Sequence, residues 1–303
     1  MYTSSPRSGS GICRFPAWVG LLAFLFWVPW GLAAQSKVNR SKAILITGTS
    51  VGAIGGLYAY FHQVWWRDET HRFRFDFDRD LRYANNLDKM GHVMGGLMTA
   101  DAYVDACRWI GMSEGQSAWW GFGMSTGLQA LIEVKDGFSP TYGFSVLDIT
   151  TGAAGALLPV ARLHSDFFRN TDLKFSYWQR TQKYFNARPI AVTPFHIDDY
   201  LNQTYWASTN LRYLLGEKAP WVPDWLNLSI GWGIDAETWN LNPADPGTGG
   251  KAELYLAPDI DLVRLFKPKK AFWKLTLKRL NYLKVPMPTL QITPRVKAWG
   301  VYF

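Results

Sequence analysis

Glycine recurs at helical spacing in four successive segments: Gly48, Gly52, Gly55 and Gly56; Gly91, Gly95 and Gly96; Gly121, Gly123 and Gly127; Gly152 and Gly155. A glycine inside a helix costs about 1 kcal/mol of propensity relative to alanine. A row of them is tolerable where it lets two backbones approach closely, as small residues three to four apart do. The spacing predicts a Gly-rich four-helix bundle with helices over about 42–66, 88–112, 113–134 and 145–163. Ala43 to Phe61 carries no charge, so the first helix is expected to touch a membrane. The others hold Asp101, Asp105, Arg108, Glu133 and Asp148, and in a membrane those charges would have to face the bundle interior. The link 67–82 alternates charged and aromatic residues and reads as a short strand or a surface segment.

After Leu163 the period changes. Residues 173–178 alternate, with Leu173, Phe175 and Tyr177 on one face. Residues 199–215 read as a helix, and 226–234, 252–262 and 289–303 as strands separated by Pro and Gly clusters. The fold class is α+β, with a Gly-rich helical bundle over 35–164. A smaller mixed part over 165–303 follows, with a helix and a short antiparallel sheet. The chain ends on Tyr302 and Phe303, as the last strand of an outer-membrane barrel does. Three to five strands are too few for a membrane barrel, which needs at least about eight. A sheet packed on the helices is therefore expected. Residues 267–284 carry Lys269, Lys270, Lys274, Lys278 and Arg279 beside Phe272, Trp273, Leu275, Leu277, Leu280 and Leu283. They read either as a basic amphipathic helix at a lipid interface or as a solvated face over the core.

The N-terminal stretch has the parts of a secretory signal. Arg7 and Arg14 are followed by an apolar run from Phe15 to Leu32, small residues at Gly31, Ala33 and Ala34, and the polar Gln35, Ser36 and Lys37. A signal peptide over 1–34, cleaved near Gln35, is expected. Cys13 precedes the apolar run, whereas a lipid-attachment cysteine follows one, so lipidation is not expected. Cys107 is then the remaining cysteine, which excludes an intramolecular disulfide and a cysteine-based metal site. A net charge of +8 with 16 tryptophans suits a lipid interface, where amphipathic rings sit among headgroups. No nucleic-acid recognition motif is present. The expected location is the periplasmic side of the envelope, membrane-associated, with the outer membrane favoured over the inner. The expected partner is a membrane lipid or envelope component and no nucleic acid; an oligomer is compatible with the sequence.

Polar residues cluster at the predicted helix ends. Asp88, Lys89 and His92 open the second helix, with Asp88 and His92 four apart on one face. Glu133 and Asp136 end the third, and Ser145 is a credible N-cap of the fourth, with Asp148 three residues on. In an antiparallel bundle these two starts and the intervening end fall on the same side. His92, Glu133 and Asp136, with Asp148 beside them, could hold a divalent metal. The same groups could act as general acid and base, or form a structural network with Lys89, since buried charges persist when paired. No phosphate-binding loop, Ser-His-Asp order or His-Glu-x-x-His appears, and the sequence names no cofactor.

Asp88-Lys89-x-x-His92, Glu133-x-x-Asp136-Gly137-Phe138-Ser139 and Gly143-Phe144-Ser145-x-x-Asp148 resemble the YfiM-like family of exported, often lipid-anchored bacterial envelope proteins. Asp199 to Trp206, Pro223-Asp224-Trp225-Leu226, Ile230-Gly231-Trp232-Gly233, Asp259-Ile260-Asp261 and Val285-Pro286-Met287-Pro288 look like the second half of its longer members. The helical half is more distantly similar to VanZ-like membrane proteins, although Thr151 and Gly152 stand where those chains tend to carry Asn. The resemblance implies a location and no reaction. The expected function is that of an uncharacterised exported envelope protein with a structural or binding role. The rival is a metal-dependent or acid–base hydrolase acting on an envelope lipid or glycan.

Overall fold

The computed structural model describes residues 38–66, 71–77, 80–140, 142–183, 199–216, 219–235, 239–240 and 248–303. The expected signal segment and its cleavage point lie outside the described residues, as does part of the link 67–82. Asn39 caps the first helix, α1 (Arg40–Val64), by accepting the Lys42 N–H. Its start is tied to the end of the second helix, where the Asn39 N–H donates to the Ile110 carbonyl at 2.9 Å. At its far end the Trp66 indole N–H donates to Asp136 at 2.6 Å. Between these ties most of α1 stays exposed, Ile44 to 74 %. A Cβ added at Gly48, Gly52, Gly55 or Gly56 would meet nothing within 4 Å. Among the described residues, then, the glycine row of this helix meets no neighbouring backbone.

The next helices do pack closely. They are α2 (Leu87–Trp109), α3 (Glu114–Asp136), α4 (Val146–Ala156) and α5 (Leu158–His164). Ser113 and Gln116 form a capping box at the start of α3, and Ser145 accepts the Asp148 N–H at the start of α4. The single helix expected over 145–163 is broken at Leu157 with a bend of 41°, where Pro159 removes a backbone donor early in α5. A Cβ at Gly96 would lie 2.0 Å from the Gly152 carbonyl oxygen, and one at Gly155 would lie 1.9 Å from that of Val93. Replacing Gly96 by alanine should therefore push α2 and α4 apart and cost about 1–3 kcal/mol. The same change at Gly52 should be neutral or stabilise by up to about 1 kcal/mol. Parallel denaturation of the two variants separates close packing from propensity.

A short helix, α6 (Asp166–Arg169), leads into the sheet. Its strands are β1 (Thr171–Tyr177), β2 (Gln203–Asn210), β3 (Leu226–Ile234), β6 (Ala252–Ile260), β7 (Met287–Gln291) and β8 (Lys297–Tyr302), in that spatial order and antiparallel throughout. A separate ribbon joins β4 (Trp239–Asn240) to β5 (Thr248–Gly249). Two readings change here. Residues 203–210, expected to be helical, form a strand bonded on both sides, followed by a one-turn helix, α7 (Leu211–Leu215). Ladder pairing and burial of both faces override local pattern. The run 289–303 is a hairpin rather than one strand, turned around Pro294. Two helices, α8 (Leu262–Phe266) and α9 (Ala271–Leu280), connect β6 to β7.

The sheet curls until its ends meet. Trp178, just after β1, stacks edgewise on Tyr302 and Trp299 of β8, with ring centroids 5.4 and 5.6 Å away. The Phe175 N–H donates to the Tyr282 carbonyl and the Lys284 N–H to that of Phe175, so 282–284 covers part of the free edge of β1. The enclosed face buries Lys174, Ser176, Ser208, Ser229, Glu253 and Asp259 beside an aromatic cluster of Trp206, Tyr255 and Tyr302. On the outer face, Leu173, Phe175, Tyr205 and Trp232 pack on Leu87, Met94 and Leu97 of α2 in a shared core. The rest of that face is uncovered, with Ile230 and Val301 both 61 % exposed.

Candidate functional site

The start of α2 is set by an unusual turn. Ala84, Asn85 and Asn86 all have positive φ, of 47°, 50° and 63°. The left-handed region costs a non-glycine residue roughly 1–2 kcal/mol. This turn reverses the chain so that Asp80 lies against Lys89 at the head of the helix.

Lys89 Nζ donates to Asp88 at 3.0 Å, to Asp148 at 2.5 Å and to Asp80. The Ser145 N–H donates to Glu133 at 3.0 Å, and the Ser145 hydroxyl donates to Asp80 at 2.9 Å. The head of α2, the tail of α3 and the head of α4 thus share one network. His92 Nε2 lies 3.6 Å from Asp148 Oδ2, and its Nδ1 faces Gln129 Oε1 at 3.4 Å. One donor atom each from His92, Glu133 and Asp148 lies within 4.8 Å of the other two. Asp136 is turned away from this group and accepts the Trp66 indole N–H.

Residues 77–164 match the family described as predicted periplasmic lipoprotein (DUF2279). That family segment contains all the side chains of the cluster except Trp66. The match supports an exported protein on the periplasmic side of the bacterial envelope, with an uncharacterised role. No curated protein and no solved structure matches the chain.

Among the described residues, Lys89 pairs with Asp80, Asp88 and Asp148 and lies within electrostatic reach of Glu133, whereas Asp136 faces Trp66 and Lys135. Burial pushes the Glu133 carboxyl up to about 9, and Asp148 and Asp136 add to the effect. Burial also lifts Asp136 to about 7, against the Trp66 hydrogen bond, and Asp88 to about 6, against Lys89. Burial alone would lower Lys89, but Asp88 and Asp148 hold it above its usual value. Burial and the neighbouring carboxylates thus favour the protonated form of Glu133, and the Ser145 N–H and Lys89 oppose them.

Sequence reasoning missed Asp80, Gln129 and Trp66. Gln129 precedes Glu133 by one helical turn on the same face of α3, so periodicity alone could have found it. Asp80 sits in a link dense with charge, and nothing local distinguishes it from its neighbours. Elsewhere Asp105 and Asp101 on α2 receive Lys278 and Arg279 from α9, and Asp101 also pairs with Arg162. Two of the basic residues in 267–284 therefore bind the helices.

Proposed function

We propose that the protein is held in an envelope membrane and that its helix-end cluster has a structural or binding role there. The observation that carries this reading is the reversed polarity of the curled sheet. Its enclosed face buries Lys174 and Asp259 completely, while Ile230, Leu254, Leu290 and Val301 point outward and exposed. Burying a charge costs several kcal/mol even when it is paired. Leaving a large aliphatic side chain in water forgoes about 1.5–3 kcal/mol. A sheet that does both is suited to an apolar covering on its outer face, such as a membrane surface.

The rest of the surface agrees. The helix α1 is long and apolar enough to cross a bilayer, and little of it is buried. On α9 the two readings of the basic segment divide along its length. Lys278 and Arg279 turn inward to Asp105. Phe272 and Trp273 are exposed beside the equally exposed Lys269, Lys270 and Lys274, an arrangement suited to an anionic headgroup layer. The resemblance to the exported YfiM-like family accords with the same location.

Alkaline carbonate extraction tests membrane retention: the full chain is expected to stay with the membrane pellet. In fragmented membranes, a cysteine introduced by Ile230→Cys should be shielded from a charged maleimide and should react once detergent is added. A control introduced by Lys269→Cys should react in both conditions. Release by carbonate, or equal labelling of both positions in membranes, would sink the reading.

A further inference from the structure

We propose that His92, Glu133 and Asp148 form a three-donor site for a first-row divalent metal ion of the Zn2+ type. The donors come from three different helices, and each keeps one coordinating atom for the shared gap while a second partner holds its other polar atom. His92 turns Nε2 towards Asp148 and presents Nδ1 to Gln129 Oε1. With its proton on Nδ1, the imidazole leaves the Nε2 lone pair for a cation. Asp148 gives Oδ1 to Lys89 and faces His92 with Oδ2. Glu133 uses Oε2 to accept the Ser145 N–H. Outer partners that fix ring orientation and carboxylate rotation are what a metal site requires beyond its ligands.

A further observation points the same way. Asp88 is 5 % exposed, and its Oδ1 has no hydrogen-bond partner among the described residues. It lies within electrostatic reach of both Asp148 and His92, on the His92 face of α2. A buried carboxylate oxygen without a donor is costly, and a water bound to a cation held by His92 and Asp148 would supply one. The His92 side chain is 22 % exposed and that of Asp148 14 %, which gives an ion a route in and leaves room for a water ligand.

The donor set decides the kind of ion. Imidazole favours Zn2+ and its transition-metal neighbours, whereas Mg2+ and Ca2+ prefer oxygen alone. The donors, now within 4.8 Å of one another, would have to draw closer to meet one ion at about 2.0–2.2 Å.

The site does not depend on the membrane reading, and it is tested with the full chain in detergent. Metal-free protein titrated with ZnCl2 is expected to bind one equivalent, with Mg2+ and Ca2+ far weaker. His92→Ala should lower Zn2+ affinity by more than the about 10–100-fold expected for Gln129→Ala, which removes only an outer partner. Co2+ added to the wild-type chain should give intense visible d–d bands that Zn2+ abolishes, a readout that needs no variant to fold. Zn2+ binding unchanged in a folded His92→Ala protein overturns the proposal. So does binding of Ca2+ or Mg2+ as tight as that of Zn2+, or the absence of Co2+ bands.

Discussion

Asp259→Ala is expected to destabilise the protein by about 3–5 kcal/mol, the range for removing one partner of a buried ion pair. Asp259 lies at the centre of the curled sheet with 0 % exposure, and Lys174 and Lys284 are buried to 0 % and 1 %. Lys174 Nζ is 2.7 Å from one carboxylate oxygen and Lys284 Nζ is 3.5 Å from the other. The Ser208 hydroxyl and the Val285 N–H also donate to this carboxylate. Alanine leaves two ammonium groups enclosed with no carboxylate between them and strands those two donors. Both lysines keep carbonyl acceptors, Ile260 for Lys174 and Pro258 and Val285 for Lys284. Burial already pulls Lys284 below its usual value, so this lysine can give up its proton and limit the loss. Lys174→Met should cost less, because Asp259 keeps Lys284. Denaturant titration followed by tryptophan fluorescence gives the comparison. Equal costs for the two changes would show that the carboxylate is not the centre of the network.

Lys89→Met should have an effect of similar size, about 3–5 kcal/mol at neutral pH. It removes the ammonium shared by Asp80, Asp88 and Asp148. Its pH dependence identifies the cause. Asp88 already sits above its usual value, at about 6, and loss of Lys89 moves it further up. A carboxyl whose folded value is raised contributes stability below its unfolded value and loses it as pH rises through the folded value. The variant should therefore be closest to wild type near pH 5 and fall further behind as pH rises to 8. A penalty independent of pH would point to lost side-chain packing instead.

The reversed polarity of the sheet and the crowding of carboxylates at the helix ends belong to the same physical situation. In both places the chain encloses charge and leaves aliphatic surface outside. In the helical half the enclosed charges sit at helix ends, next to capping amides, where partial exposure lets protons or ions in. In the sheet they are sealed beneath Trp206, Tyr255 and Tyr302, which stack within 6.0 Å of one another. The first arrangement can exchange ions, whereas the second is confined to holding strands together.

Much of the local structure was determined by the sequence alone. Apolar periodicity marked the helices, and caps at Ser113 and Ser145 fix where α3 and α4 begin, because capping is a contact between residues three apart. Alternation marked β1, β3 and β6 for the same reason. The alternating order of helices was enough to bring Lys89, Glu133 and Asp148 to one end. The tertiary structure decided what depends on neighbours far along the chain. Residues 203–210 became a strand because β1 and β3 flank them. Among the described residues the glycines of α1 meet no neighbouring backbone, while those of α2 and α4 meet each other's helix backbones. Asp136 accepts from Trp66, and Asp148, in the first turn of α4, lies beside His92. A pattern in sequence shows that a face exists; the packing of distant segments settles what that face meets.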